Sequence, residues 1–506
     1  MSVARPGRRY RHWVSTGAAT ARPALARRRA IPGAALLERH APLVALLAFY
    51  VVLLAVVLPH TLVQDSWFTL VTGREIFEHG LPHSNQLTVW SHGDHWVDQQ
   101  WLAQASFYGL ERLGGVRLVL LVHALLMTAG FVVGLAAARA RGATNRSVVI
   151  VAAVCLLLAP WGLQMRAQAF APLLFGALLW LLVRDSRVPG RRVLWVFPIL
   201  VLWANLHGTV VLGAMLVALR GLTSLSERRA RVRAGAPART GEAIVLLAAP
   251  LLVLASPYGS ELVTYYHQML DSPLFRDYVV EWQTSKPSGY TSIFYVIAFA
   301  TVALVARQAR HVTRFEVLAL AILLVSALTA IRSIVWFGLA ATIILPALLD
   351  SEFPQRPQRR QTAYRSIAKI VGALAIVTAT AFMVSRPASW FVQDWPDRAL
   401  AYVSRDLARP EARVWADDRN ADWLLWKLPR ARGRIALDIR YELLSKPQFE
   451  KLVAYHDRSG EHWRNAARGY GTIVLDPRGL AKQELRRYGA TLYDDGKTAV
   501  LRNPGR

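Results

Sequence analysis

Residues 41–82 read APLVALLAFYVVLLAVVLPHTLVQDSWFTLVTGREIFEHGLP. The first half, Ala41 to Val63, holds no Asp, Glu, Lys or Arg and is long enough to cross about 30 Å of hydrocarbon. The second half opens on Asp65 and continues as an amphipathic helical pattern, with Trp67, Leu70, Val71, Arg74 and Phe77 or Glu78 sharing a face. Such a helix is expected to lie along the membrane interface. Gly80-Leu81-Pro82 ends it. A span that runs straight into a carboxylate and a surface helix points to an α-helical polytopic membrane protein with its chemistry gathered at one face.

Composition agrees. The chain has 506 residues, 54% hydrophobic and only 18% charged, unlike a soluble globular protein. Its formal charge of +27 comes mainly from arginine. The arginines sit in short clusters between apolar runs, so the positive-inside rule accounts for them and a nucleic-acid partner is not needed. Residues 1–40 are basic and rich in Pro and Ala, and read as a disordered cytoplasmic tail. The tail is too long for a signal-peptide n-region, so the first span is expected to be retained. Cys155 is the only cysteine, which excludes an intramolecular disulfide and a cysteine metal cluster.

About eleven apolar runs qualify as transmembrane helices, at residues 41–63, 116–138, 147–163, 169–184, 193–206, 208–222, 242–256, 291–307, 315–331, 333–349 and 366–385. With the tail inside, the arginine-dense loops at 138–146, 184–192, 226–240, 306–314 and 353–365 all fall inside. This requires LWVFPILVLWANLHGTVVLGAMLVAL, Leu194 to Leu219, to be a hairpin turning near Asn205–Gly208. A single long tilted helix there is the alternative, and it would reverse every later segment. Residues 41–385 thus read as the transmembrane domain, with residues 64–115 as its first extracytoplasmic loop. Residues 386–506 read as an extracytoplasmic α/β domain with strands in RVWADD, RIALDIR and GTIVLDP, helices in PQFEKLVAYHD and GLAKQELRRYG, and a hairpin in TLYDDGKTAVLRN. No internal repeat is apparent, which disfavours inverted-repeat transporters.

Several outer loops carry groups that membrane crossing does not require: Asp65 and Glu75, Arg166, Asn205 and His207, Tyr258 and Glu281, and Arg332. Ionisable groups at membrane depth are costly and mark sites. Asp65 suits a general base, or else the N-cap of the helix that follows. Glu75 is a second carboxylate or the helix's wet side. His92, His95 and Asp98 recur three apart but match no strong metal pattern, so a divalent metal is possible without being supported. Trp96 and Trp101 fit an interfacial belt or a stacking surface for sugar rings. Arg166 and Arg332 either snorkel or clamp a phosphate. Asp438 and Arg440 read as a structural ion pair or part of a lid. There is no Walker loop and no dinucleotide fingerprint.

The order of a first span ending in Asp65, an amphipathic helix, the Gly80-Leu81-Pro82 break and a tryptophan-rich segment resembles the first extracytoplasmic loop of GT-C glycosyltransferases. MRAQAF, WANLHGTVVLG, SPYG, VVEWQ and LDIRYEL resemble, in that order, a bacterial group of GT-C-like polytopic membrane proteins. The resemblance implies sugar transfer from a polyprenyl-phosphate donor to a glycan, lipid or protein acceptor, outside the cytoplasmic membrane and without a cofactor. Asp65, helped by Glu75, would be catalytic. Arg166 or Arg332 would hold the donor phosphate, and His207, Asn205, Tyr258, Glu281, Trp96 and Trp101 would line the cavity. Ser66 stands where many of these enzymes carry the second acid of a pair, so metal dependence is not implied. A ligase or polymerase of lipid-linked glycans, and a transporter or flippase, are the rival readings.

Overall fold

A computed structural model of the protein describes residues 40–158, 163–271, 273–354, 362–457, 459, 463–477 and 490–503. The N-terminal tail and the helix expected in GLAKQELRRYG lie outside these residues. The described residues are mostly helical, and among them six helices are long and apolar enough to cross a membrane. The helices run in order: α1 Ala41–Val57, α2 Gln64–His79, α3 Trp101–Ala140, α4 Asn145–Leu156, α5 Ala171–Arg187, α6 Val196–Leu206, α7 Val210–Arg233 and α8 Thr240–Leu247. They continue with α9 Glu261–Asp271, α10 Pro273–Tyr278, α11 Tyr290–Arg307, α12 Arg314–Thr329, α13 Ile334–Glu352 and α14 Thr362–Ser385. Beyond these lie α15 Ala388–Phe391, α16 Asp397–Asp406, α17 Asp418–Lys427 and α18 Lys446–Asp457. Each expected span coincides with a helical segment, though several are shorter than a full crossing.

The expected hairpin forms. α6 and α7 are separated by His207, Gly208 and Thr209, and a Cβ placed on Gly213 would lie 2.8 Å from Trp203 and 3.3 Å from Leu200. Residues thirteen apart touch only if the chain doubles back, since an unbroken helix would hold 200 and 213 about 20 Å apart. The arginine-rich turns gather at the end of the bundle away from Asp65. There Glu316 is gripped by Arg141 and Arg187 at 2.8 and 2.7 Å, and Asp185 by Arg220 and Arg239, both at 2.9 Å.

At the other end stands a small α/β unit. Its strands are β1 Val414–Ala416, β2 Thr472–Leu475, β3 Ala490–Asp494 and β4 Ala499–Arg502, in the order β1-β2-β4-β3. β1 and β2 are parallel, while β4 is antiparallel to both β2 and β3. Asp495-Gly496 turns the β3–β4 hairpin as expected, with Gly496 at φ 82°. The first loop joins this sheet. Val89 and Trp90 donate to the carbonyls of Ile435 and Ala436, and Ile435 in turn bridges Val414. RIALDIR therefore works as a link between the loop and the sheet.

The environment of α2 departs from the sequence expectation. Trp67, Leu70 and Val71 have no solvent exposure, because α2 is sandwiched between the first turns of α3 and the α/β unit. Trp67 packs edge-on against Trp395 at 5.4 Å, and Trp395 meets Trp423 of α17 at 5.8 Å. Arg74 donates to the carbonyls of Leu425 and Trp426, so a guanidinium closes the C-terminal end of α17. On the other side, Gly73 lets α3 approach so closely that a Cβ would lie 2.3 Å from the Gln104 carbonyl oxygen and 2.6 Å from Tyr108 Cβ. α3 itself changes direction at Gly114-Gly115, where Gly115 takes φ 67°, and only then enters the bundle. At the far edge α14 returns against α1, with Gly372 over Val44, which sets the α/β unit beside the first loop.

Gly73→Ala tests this packing. Backbone and Cβ atoms are what it would strike, and neither can swing aside. The change should cost ~1–3 kcal/mol or more, read as a lowered unfolding temperature in detergent. An unchanged transition would contradict the close contact of α2 and α3.

Candidate functional site

Asp65 is in the first turn of α2 but is not its cap. The residue before the helix is Val63, whose N–H donates to Ser66 Oγ at 2.9 Å. The same hydroxyl donates to the Met165 carbonyl at 2.5 Å, and Met165 N–H donates to the Thr61 carbonyl at 2.9 Å. Ser66 thus ties the start of α2 to the turn carrying Arg166. This leaves the Asp65 side chain free to face inward, where the α2 N-terminus favours negative charge.

Four charged groups meet there. Arg166 Nε lies 3.5 Å from Asp65 Oδ2, an ion pair without a hydrogen bond, and its Nη1 lies 2.8 Å from Glu281. Gln164 accepts from Arg166 Nη2 at 2.7 Å. Glu281 and Arg332 are brought in by two short turns that clip together, with Ile331 N–H donating to the Gln283 carbonyl and Ser285 N–H to that of Leu328. Arg332 stacks over Trp282 at 4.5 Å. Among the described residues no carboxylate lies within ion-pair distance of Arg332, whereas Arg166 has two.

His207 completes the group from the α6–α7 turn. Its Nδ1 accepts from the Thr209 N–H at 3.2 Å, which places the proton on Nε2. Burial, reinforced by the charges of Arg332 and Arg166, pushes His207 down to about 3, so it is a neutral donor. Burial also lifts Asp65 above the usual carboxylate range, with the Arg166 charge opposing. Asp65 is enclosed, yet a third of its side chain is accessible. It therefore faces a recess within the protein. Asp65, Arg166, His207, Glu281 and Arg332 share that recess, linked by direct contacts and by the mutual influence of their charges.

The other expected site residues fall elsewhere. Glu75 is about 15 Å along α2 from Asp65. It receives a forked bond from Arg432 at 2.9 and 3.1 Å, with His79 at 3.3 Å, so it fastens the α/β unit and does not partner Asp65. Asn205 accepts from Trp101 Nε1 at 2.9 Å and donates to the Ala255 carbonyl at 2.7 Å, stapling α3, α6 and the segment before Ser256. Tyr258 is buried, with its hydroxyl on the Pro82 carbonyl. Trp96 is buried beneath Arg440, 4.3 Å away. These four build walls without reaching the charged group. His92, His95 and Asp98 do not converge, since His95 pairs with Glu261 and Asp98 is buried at the start of α3. Arg440 is held by Asp438 at 2.5 Å and by Asn85 at 2.7 Å.

Two groups near the recess were not picked out as site residues from sequence: Tyr265, on which the Arg332 charge acts, and Tyr441, on which the Asp65 charge acts. The signal was present in LDIRYEL, but only the folded link between that segment and residues 87–90 brings it against Phe68 of α2. An apolar groove of about 830 Å³ is lined by residues of α3 and α6, among them Trp101, Leu102, Pro198, Val201, Leu202 and Asn205.

No family model matches the chain, and no curated protein matches it significantly. Among solved structures it is similar to the crystal structure of ArnT from Cupriavidus metallidurans bound to undecaprenyl phosphate. The identity is 14%, over 90% of this chain and 97% of that one, with a TM-score of 0.45. It is also similar to the cryo-EM structure of the arabinofuranosyltransferase AftD from Mycobacteria, at 14% identity over 91% of this chain and 40% of that one, with a TM-score of 0.46. The chain thus spans less than half the length of AftD. Likeness of this degree transfers no residue roles.

The His207 environment is open to titration. The unfolded chain takes up a proton near pH 6.5, and the folded chain refuses it until about pH 3. His207 therefore costs no stability above pH 6.5 and destabilises progressively as pH falls below it. Histidine NMR should show His207 neutral through the physiological range, and Arg332→Gln should raise its pKa. An unmoved His207 titration in that variant would place Arg332 outside the recess.

Proposed function

We propose that the protein transfers a sugar from a polyprenyl-phosphate donor to an acceptor hydroxyl, at the outer face of the cytoplasmic membrane. The observation that carries this reading is Arg332. It is an enclosed guanidinium that makes no ion pair among the described residues, and its charge acts on His207 and on Asp65, a third of whose side chain is accessible. A site where two guanidinium groups meet two carboxylates, with one guanidinium, Arg332, not engaged in an ion pair, suits an anion beside a nucleophile that must lose a proton. The apolar groove whose lining includes Asn205, two residues from His207, supports a ligand that is phosphate at one end and hydrocarbon at the other.

In this reaction the acceptor oxygen attacks the anomeric carbon and its proton passes to Asp65. The bond between that carbon and the donor phosphate oxygen breaks, and the polyprenyl phosphate leaves with the electron pair. The departing phosphate is already a good leaving group, so it needs charge stabilisation more than a proton. Arg332 and His207 supply that. Arg166, saturated by Asp65 and Glu281, holds the two carboxylates in place and is the weaker candidate for the phosphate. The raised pKa of Asp65 brings it nearer to what a base at neutral pH requires. No metal is invoked in this reading. The first-loop resemblance to GT-C enzymes supports the same reaction, with the N-terminal tail inside and the α/β unit, residues 386–506, outside.

Membranes carrying the protein, supplied with radiolabelled polyprenyl-phosphate sugars, test the assignment. Asp65→Asn keeps the shape and should lower transfer about a hundredfold or more without unfolding the chain. Arg332→Lys keeps the charge but loses the fork, so transfer should fall without vanishing. Full transfer by Asp65→Asn would reject the base role. Wild type inactive with every donor would favour the ligase or transporter readings.

A further inference from the structure

The end of the bundle away from Asp65 holds a polar hollow for which sugar transfer has no use. Its volume is about 490 Å³. It opens where three of the six long apolar helices stop. Arg141 follows α3, Arg187 ends α5, and Asp350 lies in the last turn of α13. Arg310 and Val312, from the turn that leads into α12, close it. The ends of membrane-crossing helices stand at the depth of lipid headgroups.

The charges around this hollow do not balance. Glu316 is fully buried. It accepts from Arg141 Nε at 2.8 Å and Nη2 at 3.3 Å, and from Arg187 Nε at 2.9 Å and Nη2 at 2.7 Å. One carboxylate thus serves two guanidiniums, and each keeps an Nη1 with no hydrogen bond among the described residues. Arg310 has neither an ion pair nor a hydrogen bond among the described residues. Asp350 is the other carboxylate of the wall. Its oxygens take the Thr144 N–H and hydroxyl, both at 2.6 Å, and the Ser147 hydroxyl at 2.7 Å. Three guanidiniums against two carboxylates leave one positive charge over, in a place where an uncompensated charge is costly. Holding α12 to its neighbours accounts for the forks on Glu316. It does not account for the surplus charge, and it gives Arg310 no role.

We propose that this hollow binds the phosphate of an anionic phospholipid of the surrounding membrane, held by Arg141, Arg187 and Arg310. The ligand class follows from charge and depth. Guanidinium N–H groups left over from a fork suit phosphate oxygens. The surplus of one charge matches a phosphodiester, whereas a phosphate monoester carries about −1.5 to −2. Val312 and Leu348 add an apolar side to the lining, against which the glycerol end of the lipid can rest. Basic pockets between membrane helices are where such headgroups bind. The lipid would join the ends of α3, α5, α12 and α13 across the gap that Glu316 alone leaves open. This role is independent of the donor reading, since it concerns the opposite end of the bundle.

Full-length protein in a neutral detergent is titrated with short-chain phosphatidylglycerol, with phosphatidylcholine of the same tails, and with inorganic phosphate. Bound lipid is counted by native mass spectrometry, and the unfolding temperature is followed in parallel. Phosphatidylglycerol should be retained and should raise the unfolding temperature more than either of the others. Arg310→Gln, which removes an exposed side chain that ties nothing together, should fold normally and weaken phosphatidylglycerol about fivefold, the worth of one arginine near charged headgroups. Arg310→Lys should keep most of the affinity. Arg229→Gln removes the same charge from the exposed end of α7 and should change nothing. Equal protection by phosphatidylcholine or by inorganic phosphate would overturn the lipid site. Equal weakening by Arg229→Gln would overturn it too, since the attraction would then be diffuse and would not belong to this hollow.

Discussion

One hydroxyl organises this site. Ser66 accepts from Val63 and donates to the Met165 carbonyl, so it fixes where α2 begins and where Arg166 stands with the same two bonds. Because Ser66 does the capping, Asp65 is released from it and can face inward. Because Met165 is held, the Arg166 guanidinium reaches both Asp65 and Glu281. The neighbouring Arg332 makes no ion pair among the described residues and feels Glu281 and Asp65 only through their charge. An enclosed cation with no internal partner is expensive to keep unless a ligand supplies the charge. The electrostatic character of the recess follows from this arrangement and not from any single residue.

The second constraint is the burial of α2. A helix covered by α3 on one side and by the α/β unit on the other cannot shift without disturbing Trp67, Gly73 and the Glu75–Arg432 pair. It therefore transmits the position of the α/β unit to Asp65. The same unit extends its sheet onto residues 87–90, and just beyond that link Arg440 stacks on Phe68 of α2 and on Trp96. A rigid platform of this kind suits chemistry that depends on placing a carboxylate and a phosphate in line.

Much of this was legible in the sequence, for identifiable reasons. Arginine at both ends of Leu194–Leu219 demanded a hairpin, and Gly213 lies against Trp203 and Leu200 as a hairpin requires. Asp65, Arg166, His207, Glu281 and Arg332 stood out because charge at one end of apolar spans is costly, and they meet in one recess. The misreadings share a cause, since each depended on a partner far away in the chain. The apolar stripe of α2 was visible, but not that the α/β unit covers it in place of lipid. Glu75 looked like a companion to Asp65 because Arg432, 357 residues later, could not be seen beside it.

The central claim is that this recess holds the phosphate of a lipid donor on Arg332, with Asp65 facing the carbon to be attacked. The most direct measurement is a cryo-EM map of the full-length protein in nanodiscs containing a polyprenyl phosphate. The account predicts phosphate density within hydrogen-bonding distance of Arg332 and His207, with the prenyl chain leaving along the groove of Trp101, Val201 and Leu202. Phosphate density confined to the opposite, arginine-rich end of the bundle, with the Asp65 recess empty, would contradict it.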